Sequence, residues 1–443
     1  MESMLIWGVT LLIVVAVLTP YVLKTRRLQK KDRRRKREAR RLGADKAIAQ
    51  HPHIDALLCI GCGSCVQACP EGGVLGIVDG RATIINGLKC VGHGLCAEAC
   101  PVGAIQVGLG DIKQRDDVPI LDEHYQSNVP GLYIVGELSG ISLIKNAITH
   151  GRIAMEHIVE QFATRPHVDG ILDVVIVGAG PAGTSAALVA TQAKLNYLIL
   201  DAQDLGGTIL QYPRKKLVMT EPVEIPLYGK LKQREIEKEA LLAIWQQIYR
   251  DFNLRLHRSE RVVDIQKSGN FFTVKTSAAE YLAQFVVLPM GRRGNPRKLK
   301  VPGEQQSKVM YNLIDAQSHT NSHILVVGGG DSAVEAAIGL SRQKGNTVTI
   351  SYRKDRFFRI KERNRERIEN QIKKKKIIPL FNSHVKEIKP ASVILEQNGK
   401  MLEIQNDYVF IFIGGEAPLG FLRKIGIKFG VDLRTANATP VGH

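Results

Sequence analysis

Asp173-Val174-Val175-Ile176-Val177-Gly178-Ala179-Gly180-Pro181-Ala182-Gly183 sets the fold class. Four β-branched residues in a row predict a buried strand, and the glycines that follow have the spacing G-x-G-x-x-G before an alanine-rich helical stretch. In that strand-turn-helix context Gly178, Gly180 and Gly183 permit a tight turn and close backbone approach to a pyrophosphate, which rests at the positive end of the helix, beside Pro181 and Ala182. The next apolar run, Tyr197 to Leu200, delivers Asp201 where a carboxylate bonds a ribose hydroxyl. A tight turn in an α/β core with no ligand is the plainer alternative.

About 150 residues on, the pattern recurs. His323 to Val327 runs into Gly328-Gly329-Gly330-Asp331-Ser332-Ala333 and then an apolar helix from Val334 to Leu340. The following strand, Thr347 to Ile350, ends in Ser351-Tyr352-Arg353-Lys354 with no acid at the ribose position. Arg353, Lys354 and Arg359 suit a 2'-phosphate, which favours NADPH over NADH; the competing reading is solvated surface charge. Two Rossmann-like nucleotide-binding domains are therefore expected in an α/β chain.

All seven cysteines lie between residues 59 and 100. Cys59, Cys62, Cys65 and Cys69, followed by Pro70, read C-x2-C-x2-C-x3-C-P, the bacterial iron-sulfur run. A second run, Cys90, Cys96 and Cys100 before Pro101, carries His93 where a cysteine would stand. Zinc also takes Cys-x2-Cys pairs, but seven sulfurs in two Cys-Pro runs point to clusters. Disulfides do not suit a sequence of cytosolic character. Residues 52 to about 110 resemble a bacterial two-cluster ferredoxin, a small α+β domain with crossed ligation. That resemblance implies one 4Fe-4S cluster on Cys59, Cys62, Cys65 and Cys100. A second site would use Cys69, Cys90 and Cys96, with His93 as ligand to a 4Fe-4S cluster, as bystander to a 3Fe-4S cluster, or beside an empty site.

With 443 residues the chain calls for about three domains. Residues 3–23 carry no charge over 21 positions, and about 1.5 Å of rise per residue lets such a helix cross the hydrocarbon layer. From Lys24 to Arg41 there are 12 Lys or Arg against Asp32 and Glu38, a local +10 out of a net +18. Basic residues after the apolar run give a single-pass inner-membrane anchor with the rest of the chain facing the cytoplasm. A signal peptide would place its charges before the run. Beside a bilayer, the basic block serves anionic headgroups, so no nucleic acid is expected.

Roughly residues 120 to 430 resemble the thioredoxin-reductase-like branch of the pyridine nucleotide-disulfide oxidoreductases. Besides the glycine motifs, the likeness includes Gly206-Gly207-Thr208 before Tyr212-Pro213, the crossover from Val287 to Gly294, and Asp407 to Gly415. It implies FAD in the first site and NAD(P)H in the second. Val129-Pro130-Gly131-Leu132-Tyr133-Ile134-Val135-Gly136-Glu137 looks like the closing FAD motif of that family, Glu137 replacing the usual aspartate. In the family that motif stands near the C-terminus, whereas here it precedes the first glycine turn. The flavin domain is thus expected to be circularly permuted, which is cheap where domain termini lie close together.

The expected organisation is an anchor at 1–23, a basic linker at 24–50, a ferredoxin domain at 51–112 and the permuted flavin segment at 113–169. The FAD domain at 170–297, the NAD(P)H domain at 298–404 and a return segment at 405–443 complete it. Residues 101–443 contain no cysteine, which excludes dithiol exchange on this chain, and no catalytic acid, base or nucleophile can be named. His124, His150 and His157 read as surface or core residues. What remains is an oxidoreductase moving electrons between NAD(P)H and a donor or acceptor protein at the membrane through FAD and two iron-sulfur clusters. A homodimer is compatible with it. The alternatives are a reductase of a small molecule and a non-catalytic redox sensor.

Overall fold

The computed structural model describes residues 2–44, 50–109, 117–139, 143–219, 222–233, 236–291 and 295–430, which form two compact units. Arg292, Arg293 and Gly294 of the crossover, the expected boundary at 112–113 and the end of the return segment lie outside the described residues.

The first unit holds residues 1–110 together with 358–362. Helix α1, Glu2–Arg41, is one continuous helix through the apolar run and the basic block, so the expected linker is helical as far as Arg41. Strands β1, Gln50–Ile54, and β4, Ile105–Leu109, pair antiparallel, as do β2, Leu75–Val78, and β3, Arg81–Ile84. Short helices α2, Ser64–Ala68, and α3, Leu95–Glu98, follow Cys59 and Cys62, and Cys90 and His93, respectively, and start at Gly63 and Gly94. Both glycines have positive φ, 82° and 88°, a conformation that side chains resist. Helix α1 packs on β2 through Asp32, whose Oδ2 accepts from Ile77 N at 3.0 Å. A Cβ on Gly76 would stand 2.6 Å from that same oxygen.

In the second unit, the strand Glu280–Leu288 organises the first sheet. Along one edge it pairs parallel with β6, Leu172–Val177, which in turn pairs with β7, Tyr197–Leu200. Along the other edge, residues 280–283 pair with the antiparallel strand Phe271–Thr276, and residues 286–288 pair parallel with β5, Leu132–Ile134. The early segment β5 therefore completes a sheet whose other strands all come after residue 170. Burial of Val174 to Ile176, Val286 and Val287 on both faces explains the unbroken apolar runs.

Helix α4, Ile144–Gln161, lies across α5, Pro181–Gln192, the helix of the first glycine turn. A Cβ on Gly151 would come within 2.0 Å of the Ala182 carbonyl oxygen, so glycine is what lets the two backbones touch. The second sheet, led by His323–Val327, is parallel and includes Tyr408–Ile411. The chain therefore returns to the first domain only after Ile411, later than residue 405, and buries Leu422, Ile427 and Phe429 against the first sheet. Replacing Gly151 with Ala should lower the melting temperature and the flavin content together, since overpacking against backbone costs about 1–3 kcal/mol; a calorimetric trace unchanged from the parent would show that α4 and α5 need no such contact.

Candidate functional site

The first glycine turn opens on a cleft of about 300 Å³. Gly178, at φ +135°, and Gly183 face each other: a Cβ on Gly183 would meet the Gly178 carbonyl at 1.9 Å, whereas one on Gly180 would meet nothing within 4 Å. Gly180 leaves backbone exposed to the cleft, which Pro181 and Ala182 continue at the start of α5. This is the cradle a pyrophosphate requires. Gly207 sits over the turn, where an added Cβ would touch Gly180 Cα at 3.3 Å, and with Thr208 it lines the cleft. Asp201 does more than the sequence suggested. Its Oδ2 accepts from Ala179 N at 2.8 Å and its Oδ1 from Gln203 N at 2.8 Å, so it pins the turn while lining the cleft.

Gly136 and Glu137 also line the cleft. Gly136 has φ +77°, and a Cβ there would touch Ala182 Cβ at 3.4 Å, so the early motif and the later glycine turn meet. His150, buried on α4, lies with Nδ1 3.1 Å from Ser139 Oγ, which itself donates to the Gly136 carbonyl at 2.8 Å. Burial pushes that imidazole down to about 4, so it is neutral at physiological pH. Other parts of the cleft carry no sequence motif. Lys238 Nζ donates to the carbonyls of Leu210 and Tyr212 at 2.8 and 2.6 Å, holding the segment after Thr208 in place. Glu260, Arg261, Glu416 and Pro418 reach the cleft through the sheet's topology, which local sequence does not reveal.

At the second turn Gly328 has φ +145°, and a Cβ would strike the Phe412 carbonyl at 2.4 Å. The ring of Tyr352 covers Gly329 so closely that a Cβ would lie 2.1 Å from it. Gly330 caps the helix Asp331–Ser341, which carries Asp331, Ser332 and Ala333 in its first turn. Asp331 Oδ1 accepts from Asn364 Nδ2 at 2.7 Å. Arg353 is exposed, while Lys354 and Arg359 are half-buried, beyond the strand Thr347–Tyr352.

The cysteines divide between two small cavities. Cys59, Cys62, Cys65 and Cys100 line one, and Cys69, Cys90, Cys96 and His93 line the other. Each run thus lends its last cysteine to the other run's site. Backbone amides aim at sulfur, Ala82 N at Cys59 Sγ (3.4 Å) and Ala104 N at Cys100 Sγ (3.3 Å), and Ser64 Oγ is 3.4 Å from Cys62 Sγ. Such contacts orient ligands and tune cluster potential. Burial pushes the Cys65 thiol up to about 11, and raises Cys69, Cys90 and Cys96 as well, whereas the Ser64 hydroxyl lowers Cys62. The raised thiols therefore hold their protons more tightly than free cysteine, and metal binding would displace them. Among the described residues no His, Cys, Asp or Glu group closes on a single metal ion, while four donors round each cavity fit a cluster.

His93 Nε2 lies 3.1 Å from Glu71 Oε1, which also accepts from Lys361 Nζ at 2.7 Å. Burial works to raise the Glu71 carboxyl, but the hydrogen bonds from His93 and Lys361 outweigh it and hold the group below its usual range.

Comparison with known proteins agrees with this geometry. The profile described as pyridine nucleotide-disulphide oxidoreductase matches residues 175–438. The chain belongs to that family. A 4Fe-4S dicluster domain matches residues 51–101, making this member an oxidoreductase of flavoprotein type with an iron-sulfur domain. A ferredoxin-NADP reductase from Ignicoccus hospitalis is 31% identical over 265 residues, 58% of this chain and 81% of that one. One from Rickettsia canadensis is 30% identical over 194 residues, 42% of this chain and only 54% of its own length. Among solved structures, bacillithiol disulfide reductase Bdr from Bacillus cereus is 28% identical over 58% of this chain and 82% of that one, with a TM-score of 0.54.

The crossed cavities make a direct prediction for this family member. Cys100→Ser, although in the second run, should remove the EPR signal of the Cys59 site, and Cys69→Ser that of the His93 site, each lowering bound iron by about half. Loss of the signals in the opposite order would refute the division.

Proposed function

We propose that this flavoprotein is a membrane-anchored oxidoreductase that moves electrons between NADPH and a redox protein at the bilayer. The observation that carries this reading is the pairing, in one cysteine-free reductase fold, of a dinucleotide cleft with a separate domain bearing two sulfur-lined cavities. FAD, held by the Gly178 turn, Asp201, Gly207, Thr208 and the Gly136-Glu137 wall, would supply conversion between electron pairs and single electrons. The backbone amides at the start of α5 would bind its pyrophosphate, and Lys238, Ser139 and His150 would fix the walls around it. The Gly328 turn would seat NADPH, with Arg353, Lys354 and Arg359 attracting the 2'-phosphate.

For the second cluster we favour His93 as ligand. A carboxylate bonded to the far nitrogen is what orients a metal-binding imidazole and fixes its tautomer, and Glu71 fills that place. Imidazole in place of thiolate raises a cluster's potential, which would make this site the more oxidising of the two. From Ile6 onward in the uncharged run of α1, large side chains such as Ile6, Trp7, Leu11 and Leu12 are exposed. A bilayer would cover them, with the basic block on the cytoplasmic side.

Anaerobic stopped-flow mixing of the purified chain with NADPH tests the reading. The flavin band should bleach, and faster with NADPH than with NADH. Reversing charge in Arg353→Glu and Lys354→Glu should raise the KM for NADPH by roughly tenfold per lost charge-assisted bond, about 1.5 kcal/mol, while leaving that for NADH almost unchanged. Tight nucleotide binding without bleaching would contradict the proposal and mark the chain as a sensor.

A further inference from the structure

Within the 4Fe-4S domain itself, apart from α1, the exposed apolar surface is concentrated at one place. Among the described residues from 50 to 109, the large apolar side chains left exposed are Leu57, Leu58, Ile60 and Val102, at 90%, 52%, 65% and 40% of their full exposure. All four stand beside cysteines of a single cavity: Leu57, Leu58 and Ile60 flank Cys59, and Val102 follows Cys100 and Pro101. Ile60 and Val102 form part of the cavity's lining, and Cys62 is itself exposed. The His93 cavity has no such exposed rim; of its apolar neighbours Val74 and Leu75 are buried and Val91, Leu95 and Val107 half-buried. A patch of this kind on an otherwise polar domain marks a contact surface.

Helix α1 shows which way the patch faces. Just beyond the helix, Ala44 is buried and its carbonyl accepts from Leu88 N at 3.3 Å, two residues from Cys90 and the His93 cavity. Toward the N-terminus, Asp32 holds Ile77 N and Arg33 pairs with Asp79, at the tip of the β2–β3 hairpin. That tip presses on the Cys59 loop, because a Cβ on Gly61 would lie 1.9 Å from the Gly80 carbonyl. Following α1 toward its apolar run thus leads from the His93 cavity to the Cys59 cavity. Asp32 stands only nine positions after Leu23, roughly 14 Å of helix, and the exposed Lys24, Arg26, Arg27, Lys30 and Lys31 lie in the interval. Arginine and lysine at that level sit among anionic headgroups.

We propose that Leu57, Leu58, Ile60 and Val102 dip into the bilayer interface, so that the Cys59 cavity is presented to the lipid and the His93 cavity is held away from it. This rests on the reading of α1 as a membrane anchor. The packing of Asp32 and Arg33 on the hairpin makes the anchor part of the ferredoxin fold, and a short stiff helix sets the domain's face to the membrane where a flexible tether would not. Shared chemistry supports lipid as the occupant: an apolar patch next to a cationic helix matches an interface that is apolar inside and anionic at its surface.

The test uses the full chain with its cofactors, reconstituted in vesicles of phosphatidylcholine and phosphatidylglycerol. The photoreactive p-benzoylphenylalanine replaces Leu57 and, in a second protein, Val102; both positions are exposed, and the visible spectrum of each variant reports intact clusters. Illumination followed by mass spectrometry should find lipid adducts on the peptide that carries the probe. In native membranes the same adducts should outnumber adducts to protein. Washing the vesicles with alkaline carbonate reads the anchor separately. A chain that resists the wash yet gives no lipid adduct from either position overturns the orientation alone, and so does crosslinking to a protein in place of lipid. A chain that washes away overturns the anchor and the orientation with it.

Discussion

Two helix backbones in contact, Gly151 of α4 against the Ala182 carbonyl of α5, are the constraint on which the flavin domain depends. No side chain fits between them, so α4 lies where its preceding turn, Gly136-Glu137, abuts Ala182 and lines the same cleft as Gly178. The strand β5 adds a second tie by taking up the edge of Glu280–Leu288 that Phe271–Thr276 leaves unpaired. Hydrogen bonds to a parallel neighbour and burial of Leu132, Tyr133 and Ile134 fix a segment that is remote in sequence from the rest of its sheet. A permuted order costs little here because sheet pairing responds to register and burial, not to the order in which strands are made.

The ferredoxin unit works by a different economy. Its hydrophobic core is small, with Val74, Leu75, Ala82 and Ile105 at its centre, and a domain of that size usually needs a staple. The crossed cysteines would provide one: iron bound at either cavity would tie the two runs together and stabilise the folded domain. Helix α1 extends the core by docking on β2, which gives the basic stretch a structural part beyond its charge.

Much of this was legible in the sequence because it is written in residues that have few substitutes. Glycines at 178, 183 and 328 stand where a Cβ would meet backbone, and cysteines in Cys-Pro runs have one dominant chemistry. The displaced Gly136-Glu137 motif was readable for the same reason. Contributions made by ordinary residues through long-range topology were not. Glu260, Arg261, Glu416 and Pro418 arrive at the cleft only because distant strands cross there, and Lys238 looks like any first-turn lysine until its ammonium meets two carbonyls. The sequence also placed Asp201 on the ribose, without showing that the same carboxylate clamps Ala179. Nor could charge counting show that Asp32, one of two acids in a basic run, is the residue that seats α1 on the hairpin.

The central claim is that one electron route joins nicotinamide, flavin and both clusters in a single chain. Anaerobic titration of the intact protein with NADPH, followed by visible absorbance and EPR, measures it by counting. Flavin takes two electrons and each cluster one, so the account predicts an end point near two equivalents of NADPH per chain, with cluster signals growing as the flavin band fades. An end point at one equivalent, the flavin reduced and the clusters still oxidised, would contradict it.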